Sequence, residues 1–166
     1  MTRRAVSSQE IEAAYRAHGH HVARRAAHIL GNASDAAEVV QEVFMSLIDQ
    51  PEQFAARSAL TTWLYSATTH RCLNRLRNER TRARLLETRG AALPVPAHGV
   101  SPEHMLELRE LLVRLPDELA HVAVLLLADE MSQAEIAEIL GCSRRRVRSL
   151  LERLEHALTA VREAVS

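Results

Sequence analysis

The chain contains no lysine, so all 21 of its basic residues are arginine, and aromatic side chains make up only 3% of its 166 residues. Glycine and proline occur five times each, too few for the turn-rich connections of an all-β fold. The longest uninterrupted apolar run, Val122–Ala128, is too short to cross a membrane. Hydrophobic residues make up 47%, so we predict an all-α fold of one ordinary domain or two small ones, packed through Leu, Val and Ala.

Residues that carry chemistry are also scarce. Cys72 and Cys142 lie far apart without metal-type spacing, which is typical of a reduced cytoplasmic protein. The histidines His18, His20 and His21 form no i, i+4 pair reinforced by a third ligand, so we expect no metal site. The sequence shows no Gly-rich phosphate loop and no set of nucleophile, base and acid. We therefore expect neither a cofactor nor an enzymatic activity.

The formal net charge is zero, but the charges are unevenly distributed. Arg71–Arg89 carries a net charge of +5 and Arg144–Arg153 a net charge of +4, whereas Glu103–Glu138 between them carries −7. Two basic segments separated by an acidic one indicate two contacts with DNA and a surface for another partner.

The first basic segment belongs to a predicted helix, Leu60–Arg84, with an aromatic beginning and an arginine-rich end. On a helical wheel the side that begins with Trp63 continues into a polar, basic surface, while the opposite side supplies the apolar residues. Single-stranded nucleic acid binds such surfaces, because bases stack on aromatic rings and arginine neutralises phosphate. The plainer interpretation is a core tryptophan followed by a solvated arginine face.

Two helices are predicted before this one. The first begins at Ser7 or Ser8 with Tyr15 facing inward, is bent or broken at Gly19, and resumes to a stop signal at Gly31-Asn32. The second, Asp35–Asp49, is opened by Ser34 and has an apolar side and an acidic side. The acidic side suits either plain solvation or the docking of a basic partner helix.

The second half follows a segment rich in proline and glycine, Arg84–Glu103, which has the composition of a semi-flexible tether. The stretch Met131–Arg153 then predicts a helix-turn-helix, with a capping box of Ser132 and Glu135 and a tight turn at Gly141. Ser143 caps the second helix, whose arginines point outward. An ordinary helical hairpin with a charged face is the alternative, but arginines at this N-terminus favour DNA.

In their order and spacing these blocks resemble the extracytoplasmic-function (ECF) sigma factors of bacterial RNA polymerase. Asp35–Phe44 is similar to the family's polymerase-binding helix, Phe54–Tyr65 to the loop and helix that capture a −10 base, and Leu115-Pro116 with the helix-turn-helix to region 4. The resemblance implies a region 2 domain over 1–84, a linker over 85–102 and a region 4 domain over 103–166. The chain has His70 and Asn74 where the family usually has Asn and Asp.

The resemblance implies three sets of contact residues. Core polymerase is expected on the acidic side of the second helix, at Asp35, Glu38, Gln41, Glu42, Met45 and Asp49. The −10 element is expected at Phe54, Arg57, Ser58, Trp63, His70, Arg71, Asn74, Arg75 and Arg77. The −35 element is expected at Ser143, Arg144, Arg145, Arg146, Arg148, Ser149 and Arg153.

The resemblance also implies partners. They are core polymerase, through its β′ coiled coil and β-flap; promoter DNA, double-stranded at −35 and single-stranded at −10; and an anti-sigma factor. Two other classes of protein stay open at this point. One is a helix-turn-helix regulator that binds an operator as a dimer without polymerase, and the other is a protein-interaction module that has lost DNA recognition.

Overall fold

The computed structural model describes residues 7–50, 60–87 and 102–163, and these residues are helical apart from short turns. The elements are α1 (Ser8–Leu30), α2 (Ala33–Asp49), α3 (Leu60–Glu87), α4 (Pro102–Arg114), α5 (Asp117–Ala123), a π-helical turn (Val124–Ala128), α6 (Gln133–Leu140) and α7 (Arg144–Glu163). We call α1–α3 the N-terminal half and α4–α7 the C-terminal half. The predicted all-α fold is confirmed.

Helix α1 is continuous, so the prediction that Gly19 breaks it is wrong. The helix starts at a capping box formed by Ser7 and Glu10 and ends at Gly31 in the left-handed conformation. Gly19 is buried, and the ring of Tyr15 lies over it, 3.6 Å from where a β-carbon would be. Tyr15 itself is 56% exposed rather than inward-facing. A helical glycine costs about 1 kcal/mol, which packing of the helix on its neighbours offsets.

Helix α2 begins two residues earlier than predicted, because Asn32 and not Ser34 is its cap. The amide of Asp35 donates to the side-chain oxygen of Asn32 at 3.0 Å. The predicted apolar side is confirmed as the buried one, and it consists of Ala36, Val39, Val40, Val43, Phe44 and Leu47.

Helix α3 buries more of its surface than the sequence pattern indicated. On the apolar side of α3, where packing was predicted for Tyr65, Thr69, Cys72, Leu73 and Leu76, the last four are buried and Tyr65 is half-buried. In the first turns, however, Leu64 is completely buried as well, and Trp63 packs half-buried against the main core. The side of α3 that begins with Trp63 therefore contributes to packing before it becomes the basic surface.

The C-terminal half contains the predicted helix-turn-helix. Ser132 and Glu135 form the capping box of α6, and Gly141 ends α6 with φ of +60°. The amide of Arg146 donates to Ser143 at 3.2 Å, which confirms the second cap. Helix α5 passes directly into the π-helical turn Val124–Ala128.

The two halves share one hydrophobic core. A single cluster contains buried residues of α1, α2 and α3 together with Leu112, Leu119, Val122 and Leu150 of the C-terminal half. A smaller cluster, centred on Ile136, holds the helix-turn-helix together. Within 7–50, 60–87 and 102–163, no helix is long and apolar enough to span a membrane.

Candidate nucleic-acid and partner interfaces

The N-terminal end of α7 presents arginines of two kinds. Arg144, Arg145 and Arg148 are exposed, and their guanidinium groups have no hydrogen bond or ion pair with any other described residue. Arg146 and Arg153 instead hold Glu118 of α5, the first at 2.5 Å and the second at 3.0 Å. Hydrogen bonds from these two arginines lower the pKa of the Glu118 carboxyl.

Ser143 and Ser149, the other two predicted −35 residues, are also exposed. The predicted −35 set therefore lies at one end of α7, on its solvent side. Its three unpaired guanidinium groups are available to a ligand, whereas the other two are held within the protein.

The basic surface of α3 lies beside the acidic side of α2. The guanidinium of Arg75 is 3.3 Å from Asp35, 3.0 Å from Glu38 and 3.1 Å from Glu42. Arg71 lies 3.6 Å from the same Glu42. Burial lowers the pKa of Arg75, but these carboxylates raise it on balance.

A polar groove of about 500 Å³ runs along this seam between α2 and α3. Its walls carry residues from the predicted polymerase set and from the predicted −10 set, which the sequence had assigned to separate surfaces. The structure thus brings the two predicted sites together, and within the free chain they neutralise each other.

The other flank of the α3 surface faces the C-terminal half. Arg77 lies 2.6 Å from the carboxylate of Asp117 and donates to the carbonyl of Leu115 at 3.4 Å. His70 lies 3.9 Å from the same Asp117 and 3.1 Å from Asn74, so the two residues that depart from the family pattern contact each other.

The remaining predicted residues divide into two groups. On α2, Glu38, Gln41, Glu42, Met45 and Asp49 are exposed and Asp35 is half-buried. The predicted −10 residues Phe54, Arg57 and Ser58 lie outside the described residues. No group of three or more His, Cys, Asp or Glu side chains suited to a metal occurs within the described ranges.

The chain matches two protein-family models, Sigma-70 region 2 over residues 14–82 and Sigma-70 region 4 over residues 105–155. It is 30% identical over 143 residues to the ECF RNA polymerase sigma factor SigW of Bacillus subtilis, covering 78% of this chain and 76% of that protein. It is 28% identical over 135 residues to the ECF RNA polymerase sigma factor SigC of Mycobacterium tuberculosis, covering 79% and 72% respectively. The chain belongs to the ECF RNA polymerase sigma factors. It is therefore a transcription initiation factor that directs RNA polymerase to promoters.

Solved structures share the fold of this sigma factor. CnrH in complex with the cytosolic domain of CnrY matches with a TM-score of 0.51 at 21% identity, covering 96% of this chain and 92% of that one. The sigma factor RpoE from Bartonella quintana, in complex with the anti-sigma factor NepR, matches with a TM-score of 0.53 at 18% identity, covering 93% and 98%.

Sequence reasoning missed one polar site inside this sigma factor. Arg25 of α1 is completely buried; it forms an ion pair with Asp129, donates to Thr69 at 2.7 Å and lies 4.4 Å from the centre of the Tyr65 ring. Burial lowers the pKa of Arg25 and also raises that of the Asp129 carboxyl. The helical period offered a signal, since Arg25 lies on the inward stripe of α1.

Sequence reasoning also missed Ile48 of α2. This side chain is 57% exposed, and its neighbour one turn earlier, Met45, is 46% exposed. An apolar pair on an otherwise acidic helix side has the composition of an interface centre with a polar rim. Its i, i+3 spacing from Met45 was the available signal.

Proposed function

We propose that this sigma factor binds core polymerase through α2, holds the single-stranded −10 element on α3, and reads the −35 element with the N-terminal end of α7. The supporting observations are an exposed acidic and apolar surface on α2, a basic surface on α3, and three unpaired arginines on α7. The predicted boundaries, 1–84 for the first domain and 103–166 for the second, enclose the matches to regions 2 and 4.

The observation that carries the proposal is the exposure of Arg144, Arg145 and Arg148 at the start of the second helix of a helix-turn-helix. In such motifs this end of the helix enters the major groove. An arginine that contacts guanine with both arms contributes about 1–3 kcal/mol of discrimination. Arg146 and Arg153 are held by Glu118, so we assign them to phosphate contacts made after that carboxylate is released.

The −10 contact follows from the α3 surface. Arg71, Arg75 and Arg77 are paired with carboxylates of the protein, so phosphates of the non-template strand must displace those carboxylates. Trp63 and the predicted capture residues Phe54, Arg57 and Ser58 would supply base contacts. Because a flipped base costs a few kcal/mol of lost stacking, strand opening needs this surface to bind single-stranded DNA better than duplex.

The polymerase contact is proposed on the exposed side of α2, where Met45 and Ile48 lie among Glu38, Glu42 and Asp49. This surface suits a basic helical partner with an apolar ridge, the chemistry expected of the β′ coiled coil.

We assign the β-flap contact to the C-terminal half. CnrH and RpoE were solved with CnrY and the anti-sigma factor NepR, and an anti-sigma factor is accordingly proposed here. The proposed activity is non-enzymatic, needs no cofactor and takes place in the cytoplasm.

The experiment is run-off transcription with purified core polymerase on a fragmented genomic library, with and without the protein. We expect new discrete start sites that share two upstream elements. The double substitution Arg145→Ala/Arg148→Ala is expected to abolish dependence on the upstream element, whereas Arg114→Ala, which removes an arginine elsewhere in the same half, is expected to preserve it. A footprint from the protein alone, without new transcripts, would instead identify an operator-binding regulator.

A further inference from the structure

The paired and unpaired arginines of α7 lie on different parts of its surface. At about 100° per residue, Arg146 and Arg153 share one edge of the helix, because seven residues are close to two full turns. This edge adjoins the buried side of α7. The unpaired Arg144, Arg145 and Arg148 instead spread over the outward side. Pairing with Glu118 therefore follows position on the helix, since the edge arginines are held and the outward arginines are not.

Glu118 holds the two edge arginines with separate oxygens. Its Oε1 accepts from Arg146 at 2.5 Å and its Oε2 accepts from Arg153 at 3.0 Å. The three side chains are 45–49% exposed, so this bridge lies at the surface of the helix-turn-helix and not in its core. A carboxylate and a backbone phosphate each accept N–H donors of arginine through two oxygens. The Glu118 carboxylate therefore occupies donors that a DNA phosphate would use.

The dimensions of the major groove give the two groups of arginines different partners. The groove is about 12 Å wide, and a helix with its side chains is about 10–12 Å across, so a recognition helix fills the groove. Its outward side then meets base edges, whereas its edges meet the phosphates along the groove walls. A phosphate that pairs with Arg146 or Arg153 there competes with Glu118 for the same guanidinium group.

The outcome of this competition depends on where the phosphate lies. When base contacts of the outward arginines fix α7 in the groove, the phosphate beside the edge arginines stays in one place, at a high effective concentration. On unrelated sequence no base contact fixes the helix, so phosphates meet the edge arginines only transiently. Glu118, which belongs to the same fold, then keeps both arginines. The carboxylate thus weakens sequence-independent binding more than binding to the recognised element.

We propose that Glu118 is a specificity-determining residue of this sigma factor, which competes with DNA phosphate for Arg146 and Arg153 and so weakens binding to unrelated sequence. The competition rests on the Glu118 contacts alone, whereas its effect at promoters rests on the proposed function. Phosphate contacts position a protein on DNA without carrying sequence information. Suppressing them therefore increases the share of the affinity that comes from base contacts.

The test measures binding of the full chain to a short random-sequence duplex by fluorescence anisotropy, at low salt, where phosphate contacts are strongest. Glu118→Gln removes the charge and keeps the shape of the side chain. Its control, Glu152→Gln, removes the same charge from an exposed α7 side chain that has no hydrogen bond or ion pair with another described residue. Two exposed ion pairs change an equilibrium constant by a factor of about 2–30, so we expect Glu118→Gln to bind at least about 3-fold more tightly than the control. Circular dichroism checks that both variants retain their helix content.

A double-mutant cycle links the effect to the two arginines. In the Arg146→Ala/Arg153→Ala background, Glu118→Gln is expected to change the affinity for the duplex no more than the control does. A bridge that merely holds α5 to α7 would instead weaken DNA binding when it is broken. The proposal is overturned if Glu118→Gln lowers the affinity, raises it only as far as Glu152→Gln does, or raises it equally without the two arginines.

Run-off transcription then tests the effect at promoters. Random-sequence duplex is added as a competitor to core polymerase carrying each variant, on a promoter found in the genomic library. The Glu118→Gln protein is expected to lose half of its transcripts at a competitor concentration at least about 3-fold lower than the Glu152→Gln protein does. Equal sensitivity to the competitor would overturn the role in specificity. Absence of transcripts with every variant would instead remove the proposed function, while the duplex measurement would still decide whether Glu118 competes with phosphate.

Discussion

Gly31 and Gly141 end helices in the same left-handed conformation, but their surroundings differ. Gly31, after α1, has φ of +69° and Gly141, after α6, has φ of +60°. A β-carbon on Gly141 would meet nothing within 4 Å, whereas one on Gly31 would lie 1.2 Å from a terminal nitrogen of Arg109. The pair therefore separates the cost of the backbone conformation from the cost of displacing a contact between the two halves.

The substitution Gly141→Ala is expected to lower the free energy of unfolding by about 1–2 kcal/mol, the cost of a left-handed conformation for an L-residue. Gly31→Ala carries the same cost and also forces the Arg109 side chain away. That movement breaks the hydrogen bond from Arg109 to the carbonyl of Ile29. A hydrogen bond from a charged donor contributes about 1.5–3 kcal/mol, so we expect a total loss of about 2.5–5 kcal/mol.

Urea unfolding followed by circular dichroism measures both losses, and Arg109→Ala completes a double-mutant cycle with Gly31→Ala. Once Arg109 is truncated, adding the β-carbon at Gly31 is expected to cost no more than the Gly141→Ala substitution. The coupling between Gly31 and Arg109 then equals the difference between the two glycine substitutions. Equal losses for Gly31→Ala and Gly141→Ala, or additive effects in the cycle, would show that Arg109 does not lie over the end of α1.

Two further predictions concern stability and binding. His121 is half-buried, and desolvation followed by the charge of Arg25 lowers its pKa to about 4. The unfolded chain takes up this proton near pH 6.5, so the free energy of unfolding is expected to fall by about 1.4 kcal/mol per pH unit as the pH is lowered from 6.5 to 4. The substitution His121→Gln is expected to abolish that slope, whereas His156→Gln, at an exposed site, is expected to preserve it. Met45→Ala/Ile48→Ala is expected to weaken binding to core polymerase at least about 10-fold in a fluorescence titration, since interface centres dominate affinity. Leu127→Ala, at a 53% exposed site in the other half, is its control, and equal effects would remove α2 from the interface.

The sequence predicted best those features that depend on neighbouring residues. The capping box of Ser132 and Glu135 and the turn at Gly141 are local, because caps and left-handed glycines satisfy backbone groups within one helical turn. The apolar side of α2 follows from its period alone. The helical period also predicts which arginines of α7 face outward, because Val147 and Leu150 mark the side that faces inward.

The features that sequence reasoning missed depend on contacts between distant residues. Helix α1 continues through Gly19 because packing outweighs the low helix propensity of glycine. The cap of α2 is Asn32 and not Ser34, although both are residue types that cap helices. The Arg25–Asp129 pair joins residues 104 apart in sequence, and a helical wheel places Arg25 on the buried stripe without naming its partner.

The net charge of this sigma factor is zero, and part of this balance consists of ion pairs inside the chain. The acidic segment 103–138, which the sequence assigned to another partner, supplies Asp117, Glu118 and Asp129 to arginines of α1, α3 and α7. In the proposed DNA contacts Arg77, Arg146 and Arg153 each exchange a carboxylate for a phosphate, so the counterion-release gain that normally drives association is reduced. Weak binding of the free chain to DNA follows from internal neutralisation. Under the proposed function, promoter affinity must then come from the protein on polymerase, where the two DNA contacts act together and the second is intramolecular.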